Sequence, residues 1–221
     1  MLPHESAASL TSISLVVVFF NAYSGTLAYM RMGRINYFAG ALFAVAGIPG
    51  AILGAMLVHH VTRAAFDPIF GALLLGVGAF LAINPLGNQQ SGAVNQPQRP
   101  VNFRTGSIGS AYIAVFSSML GIGGGIIHVP FLIRVLRMPP HNATATSHFV
   151  LTFMALTATI VHLSMGEFHE GIQRSAFLAI GVMMGAPLGA AISTRIRGSL
   201  IVRLLAIALC AVGLRLIAKI V

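Results

Sequence analysis

The residues best placed to do chemistry form one run, Gly121-Ile122-Gly123-Gly124-Gly125-Ile126-Ile127-His128-Val129-Pro130. It lies inside a stretch, residues 105–133, that holds no Asp, Glu, Lys or Arg. Glycine costs about 1 kcal/mol and proline about 3 kcal/mol in a helix interior, so this spacing predicts an apolar helix broken in the middle. Non-helical backbone at membrane depth persists only where it is buried in protein or lines a water-filled cavity, and transporters hold their substrates at such breaks. Adjacent glycines leave backbone N–H groups uncovered, and a helix starting after them turns its positive dipole end toward the break, an arrangement suited to an oxyanion. The competing reading is that the glycines only let helices cross closely. A nucleotide-binding loop is excluded, because no strand precedes the run and no Lys-Ser/Thr pair follows it.

Hydroxyls supply the next candidates. Thr144, Thr146, Ser147 and His148 follow Pro139-Pro140 at the start of an apolar span, and Ser9, Thr11 and Ser12 hold the comparable place in the first span. They can donate to an anion or cap and back-bond to helix carbonyls, and the residue types do not choose between these roles. The expected substrate-lining set is Gly121, Gly123, Gly124, Gly125, His128, Pro130, Thr146, Ser147, Ser9 and Ser12. The only acids, Glu5, Asp67, Glu167 and Glu170, lie outside the apolar spans, so any proton coupling falls to histidines, with His128, His148 and His162 deepest and His59 and His60 nearer an end. Such histidines are also often neutral, hydrogen-bonded core residues. No metal site is expected, since the histidines form no i, i+4 pair beside a carboxylate and Cys210 is the single cysteine. No cofactor is implied.

The elements that must position these residues are membrane helices. Of 221 residues 57% are hydrophobic and 8% charged, and the mean hydropathy is +0.89. Uncharged stretches at 6–30, 35–62, 105–133, 138–166 and 175–194 each meet or approach the about 20 residues that a bilayer requires. The expected fold is an all-α integral membrane protein of about seven transmembrane helices in two repeated halves, one helix broken at the glycine motif. The net charge of +9 is carried by arginines flanking the spans, a pattern of lipid anchoring with some attraction for an anionic solute rather than of nucleic-acid binding. Residues 84–106, rich in Asn, Pro and Gln, read as an extramembrane linker between a first repeat at 1–83 and a second at 107–221. The fourth segment, 107–136, is either one interrupted span or two half-helices that enter and return.

The halves share motifs in the same order. Met1-Leu2-Pro3-His4 recurs as Met138-Pro139-Pro140-His141, Met32-Gly33 as Met165-Gly166, and Gly50-Ala51-Ile52-Leu53-Gly54-Ala55 as Gly185-Ala186-Pro187-Leu188-Gly189-Ala190. Ordered matches of this kind indicate internal duplication. The glycine run precedes Met138 but has no counterpart ahead of Met1, so the first repeat is expected to lack an N-terminal helix with its own break.

The run 121–130, followed by Pro140-His141 and Ala145-Thr146-Ser147, resembles the TauE/SafE family of membrane permeases, the sulfite exporter family. The likeness extends over nearly the whole chain. It implies a duplicated helical permease of the inner (plasma) membrane that moves sulfite, thiosulfate or a small organosulfonate by alternating access, with the bilayer and a small anion as its partners and no enzymatic activity. Two other readings remain at this point. One is an intramembrane serine-type hydrolase, suggested by Tyr23-Ser24-Gly25 although Ala22 stands where a serine loop has glycine. The other is an inactive, truncated permease or scaffold.

Overall fold

The structure is a computed structural model that describes residues 7–60, 63–83, 102–121, 123–166, 172–193 and 195–218. Within them lie α1 (Ala7–Arg31), α2 (Tyr37–Leu57), a 3-10 turn (Val58–His60), α3 (Arg63–Ile83), α4 (Phe103–Met119), α5 (Gly125–Arg134), α6 (Pro140–Ser164), α7 (Ile172–Ser193) and α8 (Gly198–Ile217). The described residues contain no strand, and five helices, α1, α2, α6, α7 and α8, are long and apolar enough to cross a membrane. The apolar part of α3, Pro68–Ile83, and the whole of α5 are shorter. Most of the segment read as a linker, residues 84–101, lies outside the described residues, and α4 begins at Phe103.

Local chemistry sets the helix starts. The Asn36 side chain accepts the Ala39 N–H at 3.1 Å at the head of α2, and Asn102 accepts the Thr105 N–H at 3.2 Å at the head of α4. Pro140 opens α6, where its missing N–H removes no helical hydrogen bond. Large apolar side chains such as Phe38, Phe177, Met184 and Ile207 face outward, as they must where the surroundings are lipid.

The broken segment resolves into a hairpin. Phe38 meets Phe103 at one end of the α2–α4 pair, and Gly54 meets Val115 near the other, so the two helices run in the same direction. After the glycine turn α5 doubles back along α4, with Gly124 against Ser117, His128 against Ser110 and Phe131 against Gly109. Ten residues of helix reach about 15 Å, half the about 30 Å of a bilayer core. Of the two arrangements open to the sequence, the chain takes the fold-back, with α5 returning along α4.

The remaining directions follow from side-chain contacts. α6 runs antiparallel to α1, pairing Tyr29 with His148 and Thr26 with Thr152, whereas α7 runs parallel to α1, pairing Ser24 with Met183 and Tyr29 with Ser193. α3 and α8 are antiparallel, Gly71 lying against Gly213 and Gly78 against Cys210. Buried Phe43, Ala51, Leu132, Val150 and Met154 join α2, α5 and α6 into the main apolar core.

Among the described residues, helix backbones approach one another most closely between α2 and α4. A Cβ on Gly50 or Gly54 would collide with the backbone carbonyls of Ala111 or Val115, atoms that cannot swing aside. Gly76 of α3, by contrast, has nothing among the described residues within 4 Å of where a Cβ would stand. Gly54→Ala is therefore expected to destabilise the protein by roughly 1–3 kcal/mol through overpacking. Gly76→Ala is expected to be neutral or mildly stabilising, and thermal unfolding in detergent compares the two.

Candidate functional site

The reversal between α4 and α5 depends on backbone that L-residues avoid. Gly121, Gly123 and Gly124 have φ of +67°, +70° and +84°. Space is as restrictive as conformation at two of them: a Cβ on Gly123 would overlap Val18, and one on Gly121 would sit 3.0 Å from the Thr11 Cα. The turn thus presses against α1 inside the bundle. Ser14 fastens it by donating to the Gly121 carbonyl at 2.7 Å. Thr11, 2% exposed, brings a hydroxyl that has no hydrogen-bond partner among the described residues.

Beyond the turn, Gly124 accepts from the N–H groups of Ile127 and His128, and α5 begins at Gly125. Pro130 is buried within α5 and cannot donate to the carbonyl of Ile126, which leaves this short helix with one internal bond fewer. His128 is fully buried. Its Nε2 lies 2.9 Å from Ser110 Oγ and its Nδ1 3.2 Å from Ser147 Oγ, so one ring ties together α4, α5 and α6. Phe43 and Phe131 flank the ring with centroids 6.5 Å and 6.3 Å away. Both serines are also fully buried.

The other residues singled out from the sequence go elsewhere. Thr146 accepts the Asn36 N–H at 3.1 Å, which pins the start of α2 and points away from the Ser147 cluster. Ser12 is buried in α1 near the turn, whereas the Ser9 side chain lies outside the described residues. His148 donates from Nδ1 to the Thr144 carbonyl at 3.0 Å and lines a cavity of about 400 Å³ with Asn21, Tyr29, Gly181, Gly185 and Gly189. His162 is buried at the far end of α6, 6.0 Å in ring centroids from His59, and neither of its nitrogens has a hydrogen-bond partner among the described residues. The three histidines therefore occupy three separate places. Ser24 donates to the Met183 carbonyl at 2.8 Å, so its hydroxyl holds α1 to α7. No cluster of three or more His, Cys, Asp or Glu occurs among the described residues.

Sequence reasoning missed Ser110 and Phe43. Ser110 lies 18 residues before His128 in what reads as a continuous apolar run, and its pairing appears only once the chain folds back. The sole available signal was positional: in a hairpin centred on the glycine run, hydroxyls upstream can face His128.

Against this geometry, the sequence model of the family described as sulfite exporter TauE/SafE matches residues 2–216. The chain belongs to the TauE/SafE family. Among curated relatives, the Bacillus subtilis "Probable membrane transporter protein YunE" is 28% identical over 216 residues, covering 92% of this chain and 78% of the relative. A "Probable membrane transporter protein" of Xylella fastidiosa is 27% identical, covering 84% of this chain and 70% of the relative. One of Sinorhizobium, ORF9, is 25% identical, covering 90% and 74%. No solved structure matches. This TauE/SafE chain is thus a multi-pass membrane protein of a transporter family.

The Ser110–His128–Ser147 cluster makes a stability prediction. Ser110→Ala strands one buried ring nitrogen and is expected to cost about 1–3 kcal/mol. Replacing all three polar groups together, as Ser110→Ala, Ser147→Ala and His128→Phe, is expected to cost less than the sum of the single changes, because no orphaned partner remains. A thermal-unfolding mutant cycle in detergent measures that coupling.

Proposed function

We propose that this TauE/SafE protein is a secondary permease for a small sulfur oxyanion or organosulfonate, with sulfite and thiosulfate the leading substrates. The observation that carries the reading is the buried helix reversal. It gathers three positive-φ glycines, the N-terminal end of α5 and the unpartnered Thr11 hydroxyl at one point inside the bundle, with the Ser110–His128–Ser147 cluster one turn along α5. Donors without charge suit an anion that must be released as readily as it is bound. Cationic groups at the opposite end of the hairpin support the choice of an anion: Arg134 closes α5, Arg34 follows α1, and both carry buried guanidinium nitrogens without hydrogen-bond partners among the described residues.

We read the halves as inverted repeats. The matched helices α1 and α6, α2 and α7, and α3 and α8 run in opposite directions, and their contacts mirror one another, α1 packing on α7 as α2 packs on α6. α1 packs against both α6 and the glycine turn. Rocking one half against the other about the α1–α6 contact exposes the site alternately to the two sides. In this scheme His128 orders the hydroxyls that face the substrate, and it takes up a proton only if the cluster opens during transport.

Proteoliposomes loaded against radiolabelled sulfite, thiosulfate or taurine test the proposal. Purified protein is expected to move at least one of them. His128→Ala and Ser147→Ala are expected to lower the rate about tenfold or more, a change of about 1.4 kcal/mol in the barrier, while His59→Ala retains it. Equal rates in His128→Ala and His59→Ala protein would remove His128 from the site. Lack of flux for every anion would overturn the substrate class.

A further inference from the structure

His162 is a buried polar group that the glycine turn and its serines do not use. It lies in the last turn of α6, fully buried, and both ring nitrogens lack a hydrogen-bond partner among the described residues. One buried polar nitrogen left unsatisfied costs about 1–3 kcal/mol, so two on one ring call for a ligand. Further donors stand close by. Met165 caps α6 three residues later, still in helical geometry, and so shares the face of His162. Facing them, the 3-10 turn after α2 brings His59, whose Nε2 lies 3.1 Å from the Met165 sulfur and whose ring centroid is 6.0 Å from that of His162. His59 and Met165 are exposed, so the three side chains run from the end of the bundle inward to the buried ring. These spacings suit one shared ion. With bonds of about 2.0 Å to nitrogen and about 2.3 Å to sulfur, two donors on one metal stand roughly 3–4 Å apart, and two imidazole centroids roughly 5–6 Å apart.

We propose that His59, His162 and Met165 form a binding site for a soft monovalent cation of the Cu(I) type, joining the turn after α2 to the end of α6. The donor set selects the ion. Thioether sulfur and imidazole suit Cu(I), whereas Mg and Ca take oxygen ligands. All three donors are neutral, so a divalent ion would bring twice the charge to the rim of an apolar bundle with a donor set that offsets none of it. Binding requires no net loss of a proton. Where the His59 Nε2–H donates to the thioether, moving that proton to Nδ1 leaves Nε2 to bind the metal and keeps the ring neutral. The set holds no carboxylate or thiolate, and His59 joins it only through the fold, so residue spacing along the chain does not reveal it. The site is separate from the glycine turn and stands independently of the permease reading.

Titration of purified Cys210→Ser protein, which lacks the single thiol, tests the site in chloride-free detergent solution. Ag(I) serves as a redox-inert probe, and Cu(I) is added under anaerobic, reducing conditions. One tightly bound ion per chain and a raised melting temperature are expected, because an ion held only by the folded state stabilises it. His59→Ala and Met165→Leu, both at exposed positions, are each expected to weaken Ag(I) binding about tenfold or more. Copper K-edge absorption is expected to show two nitrogens and one sulfur around the ion. Absence of stoichiometric binding, a metal shell without sulfur, or unchanged Ag(I) affinity in both variants would each overturn the site, the last because the ion would then rest on other methionines. A larger thermal shift with Zn(II) than with Ag(I) would overturn the choice of ion.

Discussion

A helix that turns back inside an apolar bundle must hide or pair every backbone group at the reversal, and the rest of this architecture serves that requirement. The positive φ values at Gly121, Gly123 and Gly124 make the turn sterically possible. They do not make it stable in hydrocarbon. Stability comes from α1, whose Ser14 takes up the Gly121 carbonyl and whose Val18 fills the hollow over Gly123, and from α6, whose Ser147 reaches His128. An isolated hairpin of this sequence would leave those groups facing lipid at a cost of several kcal/mol each.

Small residues carry out a second task, setting how close the helices lie. Gly50 and Gly54 allow α4 to pack backbone against backbone on α2, and Phe43 of α2 lies next to the His128 ring. Close approach and polar satisfaction are linked here: widening the α2–α4 contact by one methyl group would move Ser110 away from the histidine it serves. Among the described residues nothing lies within 4 Å of where a Cβ on Gly185 or Gly189 of α7 would stand, so the close spacing of α2 and α4 is a property of the pair and not of the motif.

The histidines illustrate how placement decides chemistry. His128, His148 and His162 look equivalent as single histidines in uncharged spans. In the fold, one bridges two serines, one spends Nδ1 on the carbonyl of its own helix beside a cavity, and one lies buried near His59 with no hydrogen-bond partner among the described residues. Thr146 and Ser147, adjacent in sequence, diverge by the helix rotation of about 100° per residue, so one caps the start of α2 and the other joins the His128 cluster.

Composition and charge spacing alone were enough to establish a helical membrane protein, because a bilayer demands long uncharged segments and penalises every exception. The glycine run likewise announced a broken helix, since no continuous helix accommodates Gly121 to Gly125 cheaply. Whether the chain crossed or returned at that break was not legible. Both outcomes use the same residues, and the choice depends on whether α6 and α4 offer surfaces for the returning helix and α1 one for the turn. The pairing of Ser110 with His128 and the separation of Thr146 from Ser147 are likewise decisions of tertiary structure. Each depends on contacts between segments far apart in the chain, where local propensity carries no information.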